Sequence, residues 1–359
     1  VLAGFAAVTA TLTTRCSFGC SYCPQRRSGV RRMDGKTVSD AARLAADSGF
    51  PHPRLTLTGG EPLLDPDLVR KAASDLRTHV GRAPRPSLRL FTNGAHLDQE
   101  TALFLAGEDA DLTISFDGVS SAQDFRSPGS GSVLERNLLD AAAAAPRWFG
   151  MRVGARITLH SGNVRFLADS VRLLAGLGLR RIDAGPVVTP DAGWDRAAAD
   201  ELDRRLEEIA AAERPVLTDE APTFRPFAAR SQRRTVGAIC GLGSPDTLFL
   251  DVDGSVAPCG AMVPSLLGDP PALVREAVAT LAGPSVHTGE LRGAMLARAR
   301  LATRLTFARD LSRKRSPHGP CASCEALSEC FVCPASIAFA PEQDPNLVPA
   351  IQCDWNRLV

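Results

Sequence analysis

Cys16, Cys20 and Cys23 stand in a C-x3-C-x2-C loop directly after the alternating apolar run over residues 5–13. Thiolates at this spacing can wrap one corner of an iron–sulfur cluster. A four-iron cluster has four ligand positions and this loop fills three, so one iron is left open to something that is not protein. The plain alternatives are a zinc site or a few buried thiols. A closed zinc site needs four ligands, and no fourth Cys or His stands within reach in the sequence.

The other seven cysteines lie in the last third of the chain: Cys240, Cys259, then Cys321-x2-Cys324-x5-Cys330-x2-Cys333, and Cys353. C-x2-C units recur in zinc ribbons, so spacing alone leaves zinc knuckles and iron–sulfur ligation both open. Ten cysteines without an export signal point away from disulfides and toward metal in a reducing cytoplasm.

The elements that must position these groups alternate. Strands are expected over 5–13, 54–58, 87–92, 111–116, 152–160 and 181–187. Helices are expected over 38–48, 68–79, 100–105, 133–144, 164–177 and 194–212. Repeated β–α units imply a parallel sheet with helices outside it. Six units suggest a partial (β/α)6 barrel, an α/β fold whose ligands sit at the carboxyl ends of the strands, where the cysteine loop lies. Gly59-Gly60-Glu61-Pro62 follows the second strand, Asn93-Gly94 the third, and Ser115-Phe116-Asp117-Gly118 the fourth. Each can be ordinary turn chemistry. A proline-bearing stretch without period, 213–235, reads as a linker. Residues 248–256 read as a β-hairpin, followed by helices over 272–281 and 291–307.

Composition sets bounds. With 359 residues, 44% hydrophobic and 23% charged, the chain suits one large domain and a smaller one. A net charge of +1 gives no reason to invoke nucleic acid. Arginine groups at 26, 27, 31, 32 and at 225, 230, 233, 234 read as solvated faces, with an acidic peptide or phosphate as the alternative. The first ten residues lack a charged segment and read as a strand, not a signal peptide. No apolar run approaches a membrane span.

The cysteine loop together with Gly59-Gly60-Glu61 resembles the signature of the radical SAM enzymes. The C-terminal order C-x13-G-x4-C, C-x2-C-x5-C-x2-C, C resembles a SPASM domain. The resemblance implies a radical SAM core over 1–235, linker included, and a small cysteine-rich SPASM domain with a β-hairpin and helices over 236–359. It implies three 4Fe–4S clusters. One, on Cys16, Cys20 and Cys23, binds S-adenosylmethionine (SAM), whose reductive cleavage gives a 5′-deoxyadenosyl radical that abstracts hydrogen from a substrate carbon. Of the two auxiliary clusters, one takes Cys321, Cys324, Cys330 and Cys353. The other takes Cys240, Cys259 and Cys333, leaving an iron that is open, substrate-bound or held by a non-Cys residue. Gly59, Gly60 and Glu61 would meet the SAM amino group. Asn93 and Ser115 would meet its ribose or carboxylate, Arg126 or Arg156 would pair with the carboxylate, and Tyr22 would line the same pocket.

The same resemblance makes a ribosomally synthesised peptide the expected substrate, modified by thioether formation, carbon–carbon cross-linking or epimerisation. A small molecule such as an aminoglycoside-type sugar, dehydrogenated or epimerised, is the alternative. An electron-transfer or zinc-scaffold protein is the alternative outside enzymes. A flavodoxin- or ferredoxin-type donor would supply the electron. Because the first strand starts near Phe5, a separate leader-peptide recognition protein or a leaderless substrate is expected. The chain departs from the family pattern in three places: the last gap of the quartet is x2, an extra cysteine before Cys240 is missing, and Gly260 stands where sulfatase-maturing members carry a catalytic Asp. Formylglycine formation is therefore not expected.

Overall fold

Period-two alternation gives the strands two unlike faces, and these set the architecture. A computed structural model describes residues 5–25, 29–78, 86–213, 224, 242, 244, 246–288, 291, 293–294, 297, 314–327, 330–342, 344 and 346–359. Cys240, the linker apart from Glu213 and Phe224, Arg26 and Arg27 of the first arginine group, the whole of the second, and most of the helix expected over 291–307 lie outside those residues. Strands β1 (Ala7–Thr11), β2 (Arg54–Thr58), β3 (Ser87–Thr92), β4 (Asp111–Ile114), β5 (Val153–Leu159), β6 (Ile182–Pro186) and β7 (Thr247–Leu250) form one sheet in the order 6-5-4-3-2-1-7. Every neighbouring pair is parallel.

One face is aliphatic. Val8, Leu55, Leu57, Leu90, Leu112, Ile114, Leu159 and Ile182 are all fully buried in one continuous core. Each such side chain contributes roughly 1.5–3 kcal/mol relative to exposure. Helices α1 (Gly35–Ala46), α2 (Pro66–Thr78), α3 (Gln99–Gly107), α4 (Ser120–Gln123), α5 (Gly131–Ala144), α6 (Pro146–Arg152), α7 (Leu167–Gly176) and α8 (Arg196–Glu213) follow the strands. Their inward residues, such as Val38, Ala41 and Ala45 on α1, complete that core. Asp34 starts α1 by accepting the Thr37 N–H at 2.8 Å, a cap contributing about 0.5–2 kcal/mol.

The other face is polar. Register places Thr56 beside Arg89, Arg89 beside Asp111, and Arg156 beside Asp183. Closed barrels fill this side with branched aliphatics. Here the lining suits an incomplete barrel with polar contents, and the expected partial (β/α)6 arrangement is what the chain forms.

The hairpin is present as well. Ala257 donates to the Phe249 carbonyl and Asp251 to that of Ser255, both at 2.9 Å, around Gly254 with φ +79°. Its first strand, β7, does more than expected: it pairs along β1, Ala7 beside Thr247, and so covers an edge of the core sheet. Past it come α9 (Ala272–Thr280), a two-strand ribbon of β8 (Arg315–Ser316) and β9 (Gly319–Pro320), α10 (Pro334–Phe339) and α11 (Ala350–Leu358). Among the described residues, three small cores hold this region: Leu242, Met262, Leu267, Val274 and Phe339 in one, Val332, Ile337, Val348 and Cys353 in another, and Ala257, Val263 and Leu266 in a third. Among the described residues, no helix is long and apolar enough to cross a membrane.

Candidate active site

The chain leaving β1 carries Cys16, Cys20 and Cys23 to the carboxyl end of the sheet. The turn after β2 fixes it there. Gly60 N–H donates to the Thr13 carbonyl at 2.7 Å, and Glu61 N–H to the Arg15 carbonyl at 2.6 Å. A side chain at position 60 would drive its Cβ into the Arg15 carbonyl, and Gly59 has φ +145°. Both glycines are required by this close approach.

Glu61 is completely buried, and its carboxylate accepts from three donors: Leu63 N–H at 2.9 Å, Thr92 Oγ1–H at 2.7 Å and Asn93 N–H at 2.6 Å. Burial raises its pKa, and those three donors oppose the rise. The side chain thus ties the β2 turn to the end of β3. What the turn has left to offer an ammonium group is backbone carbonyl oxygen at half-buried Gly60. Asn93 reaches from β3 toward the loop, donating Nδ2–H to Ser17 Oγ at 3.1 Å and approaching Cys16 Sγ at 3.9 Å. The Ser115 N–H bonds the Thr92 carbonyl at 2.7 Å, which aligns the ends of β3 and β4.

A second bracket holds the far side of the loop. Tyr22 donates its hydroxyl to Asp117 at 2.8 Å; Arg126 Nη2 and the Thr158 N–H bond the other oxygen of that carboxylate, also at 2.8 Å. Asp117 and Arg126 are both buried. Burial works against the charge of Arg126, yet Asp117 keeps its pKa above the ordinary value. Burial likewise pushes Tyr22 up, and the Asp117 charge and hydrogen bond add to it. Arg126, expected to pair with a SAM carboxylate, is therefore committed to an internal one. Arg156 is the arginine that faces the lumen: water reaches it, its guanidinium lies over Gly185, and Asp183 and the Cys333 thiol lie within electrostatic range. Thr189 Oγ1 donates to the Tyr22 carbonyl at 2.9 Å, adding the end of β6.

Sequence reading had no means of finding the hub role of Asp117 or the contributions of Thr158 and Thr189. The one available signal was that Asp117 ends the Ser-x-Asp-Gly segment. It also missed His160, which packs between Tyr22 (centroids 5.0 Å) and Phe125 (4.7 Å).

The loop faces a cavity of about 620 Å³. Tyr22, Cys23 and His160 form one wall, and Leu267, Pro271 and Phe339 from the C-terminal region form another. Gln25 bridges to Leu267 across it. Cys259 and Cys333 pack against the same small core as Leu267 and Phe339, so they stand behind that second wall. A separate cavity of about 430 Å³ is lined by Cys321, Cys324, Cys330 and Cys353 together.

The donor sets fit iron–sulfur ligation. Cys16, Cys20 and Cys23 are each partly exposed, and none is in a disulfide. Cys16 Sγ accepts the Phe18 N–H at 3.4 Å, the kind of contact that stabilises a ligating thiolate. As free thiols they resist ionisation: burial pushes Cys20 up to about 11, with Arg126 opposing, and Cys330 up to about 12, with the Cys353, Cys321 and Cys324 charges adding. Metal binding supplies the charge that overcomes this. Among the described residues, no three His, Cys, Asp or Glu side chains are gathered closely enough to hold a single metal ion.

Known proteins agree with this geometry. The family model of the Radical SAM superfamily matches residues 11–145. A GTP 3′,8-cyclase of Paenarthrobacter nicotinovorans is 28% identical over 65% of this chain and 66% of its own length. The PqqA peptide cyclase of Rhizobium meliloti is 28% identical over 58% of this chain and 54% of its own. The chain thus spans about half to just under two thirds of these relatives. The solved structure of anSMEcpe with bound AdoMet and the Cp18Cys peptide superposes with a TM-score of 0.75 at 15% identity, covering 98% of this chain and 94% of that one. That likeness in fold runs through the cysteine-rich C-terminal region as well as the sheet. Over residues 11–145, which carry the cysteine loop and the Gly59-Gly60-Glu61 turn, the chain is similar to the Radical SAM superfamily.

Proposed function

We propose that this protein is a SPASM-type radical SAM enzyme that modifies a peptide. The observation that carries the reading is the three-thiol loop, locked to the Gly59–Gly60 turn and opening onto a cavity whose far wall is the C-terminal region. When bound, a cluster and SAM there would supply reductive cleavage of SAM and hydrogen abstraction from a substrate carbon. The chain's own part is to present Cys16, Cys20 and Cys23 from a rigid strand end, to line the lumen with polar groups, and to enclose the reacting carbon. Cys321, Cys324, Cys330 and Cys353 would hold one auxiliary cluster. Cys259 and Cys333, with Cys240, would hold another, nearer the cavity.

The peptide reading is supported by the PqqA peptide cyclase and by the peptide in the anSMEcpe structure. A small-molecule substrate is the second reading, favoured by the GTP 3′,8-cyclase relative. The electron would come from a flavodoxin- or ferredoxin-type donor. Anaerobic incubation with SAM, reductant and peptides encoded beside the gene tests the proposal by mass spectrometry. Deoxyadenosine together with a peptide of altered mass is expected. Deoxyadenosine with every peptide unchanged would move the reading to the small molecule.

A further inference from the structure

The cavity that the three-thiol loop faces has a charge balance of its own. Asp191, from the loop after β6, and Asp269, from the C-terminal region, both line it, and among the described residues no lysine or arginine does. Asp191 is set in place by neutral donors. Its carboxylate accepts the Ser161 N–H and the Ser161 hydroxyl, both at 2.6 Å, and the Gly193 N–H at 3.3 Å. These bonds clamp the loop after β6 onto the loop after β5 and hold a half-buried charge in one position. Asp269 is exposed and paired with Arg275 at 3.3 Å, a pair of small weight. Of the nearby arginines, Arg126 is paired with Asp117 at 2.8 Å, and Arg156 lies over Gly185, outside this lining.

A second observation comes from His160, one residue before Ser161. It lines the same cavity with only 7% of its surface exposed. Its Nδ1 accepts the Gly162 N–H at 3.1 Å, so the ring is neutral and its proton sits on Nε2. That Nε2–H is buried and has no partner among the described residues. Buried donors are nearly always paired, so this one calls for an acceptor that the chain does not supply. A fixed carboxylate and an orphan donor, set by neighbouring residues, suit a group that brings a positive charge and a carbonyl together. A basic residue of a peptide does so: its side chain pairs with Asp191, and a backbone carbonyl accepts from His160. A polyanion such as a nucleoside triphosphate would meet two carboxylates there and no cation.

We propose that this cavity is a subsite for a lysine or arginine of the peptide substrate, with Asp191 setting the charge preference and His160 holding the backbone. This rests on the reading of the protein as a peptide-modifying enzyme, whose substrate class it narrows.

The test is ligand-observed NMR on the reconstituted full-length protein, kept anaerobic with saturating SAM so that the ammonium of SAM cannot be the occupant. The probes are acetyl-Gly-Lys-Gly-amide and the same peptide with norleucine or glutamate at its centre. The lysine peptide should bind about ten-fold tighter than the norleucine one, and the glutamate peptide should bind weakest. Asp191→Asn should abolish the lysine preference and leave norleucine binding unchanged. His160→Phe, which keeps a ring but no donor, should weaken all three peptides alike. Uniform weakening by Asp191→Asn would mark a structural role and overturn its assignment. The wild-type order needs no variant: equal binding of the lysine and glutamate peptides would overturn the proposal even if Asp191→Asn does not fold. Tighter binding of glucosamine, an amine without a peptide bond, than of the lysine peptide would overturn the assignment to a peptide. Deoxyadenosine followed in the same samples reports separately on the radical chemistry, so its formation without any order among the peptides would remove the subsite alone.

Discussion

The three-thiol loop and the four-thiol cavity are built by opposite means. The loop is short, and nearly everything holding it comes from far along the chain: the turn at Gly60 and Glu61, Asn93 after β3, Asp117 after β4, and Thr189 after β6. It therefore inherits the rigidity of the parallel sheet and stays open on the side that faces the cavity. The four-thiol cavity draws on residues between Ser316 and Cys330, on Val348, and on one helix, α11, which brings Cys353. Each set also has a buried cation within reach. Arg126, near Cys20, is paired with Asp117, whereas Lys314 is fixed through its backbone, its carbonyl accepting the Cys321 N–H at 3.0 Å. One site is held by the ends of distant strands, the other by stretches of the C-terminal region.

The largest effect should come from breaking the long-range bracket. Asp117→Ala strands the Arg126 charge in the interior and frees Tyr22, and it should cost about 3–5 kcal/mol of stability by denaturant titration. The same titration on Arg315→Ala, an exposed pair in the C-terminal region, should show about 1 kcal/mol or less. Equal losses would erase the contrast.

Gly60→Ala should come next. Its methyl group meets the Arg15 carbonyl, which is backbone and cannot move aside, so a loss of roughly 1–3 kcal/mol is expected. Iron bound at the loop should fall with it, while iron at the C-terminal cysteines stays. Loss of iron from both regions would show that the two are not independently held.

The smallest effect is a pH dependence at His160. Burial lowers its pKa, with Asp117 and Asp191 opposing. A group held below its unfolded value contributes stability that is present above that value, about 6.5, and lost as pH falls through the folded value. Wild-type stability should thus fall on acidification below about 6.5, and His160→Gln should flatten that part of the curve. Its Nδ1 accepts the Gly162 N–H at 3.1 Å, which holds the neutral ring in place. An identical pH profile in the variant would remove His160 from the account.

Much of this was legible from residue pattern because it is local. The strands after which Cys16, Gly59, Asn93 and Asp117 follow show themselves by alternation, and the paired glycines mark a turn that no other residue could make. What escaped depends on closure of the sheet. Nothing in the segment 111–126 says that Asp117 will meet Tyr22, since the two are 95 residues apart. Glu61 read as a ligand group because it follows two glycines at a strand end; that its carboxylate turns inward to Thr92 and Asn93 depends on how β2 and β3 are registered. β7 is four residues long, and its hairpin is visible locally, but its pairing with β1 lies some 240 positions away.

The central claim is that Cys16, Cys20 and Cys23 together support SAM cleavage. It is tested most directly by replacing all three with alanine and following deoxyadenosine under anaerobic, reducing conditions, with iron counted in the same samples. The account expects deoxyadenosine to vanish and iron to fall by about four atoms per chain, the C-terminal share remaining. Deoxyadenosine formed at the wild-type rate by the triple variant would contradict it.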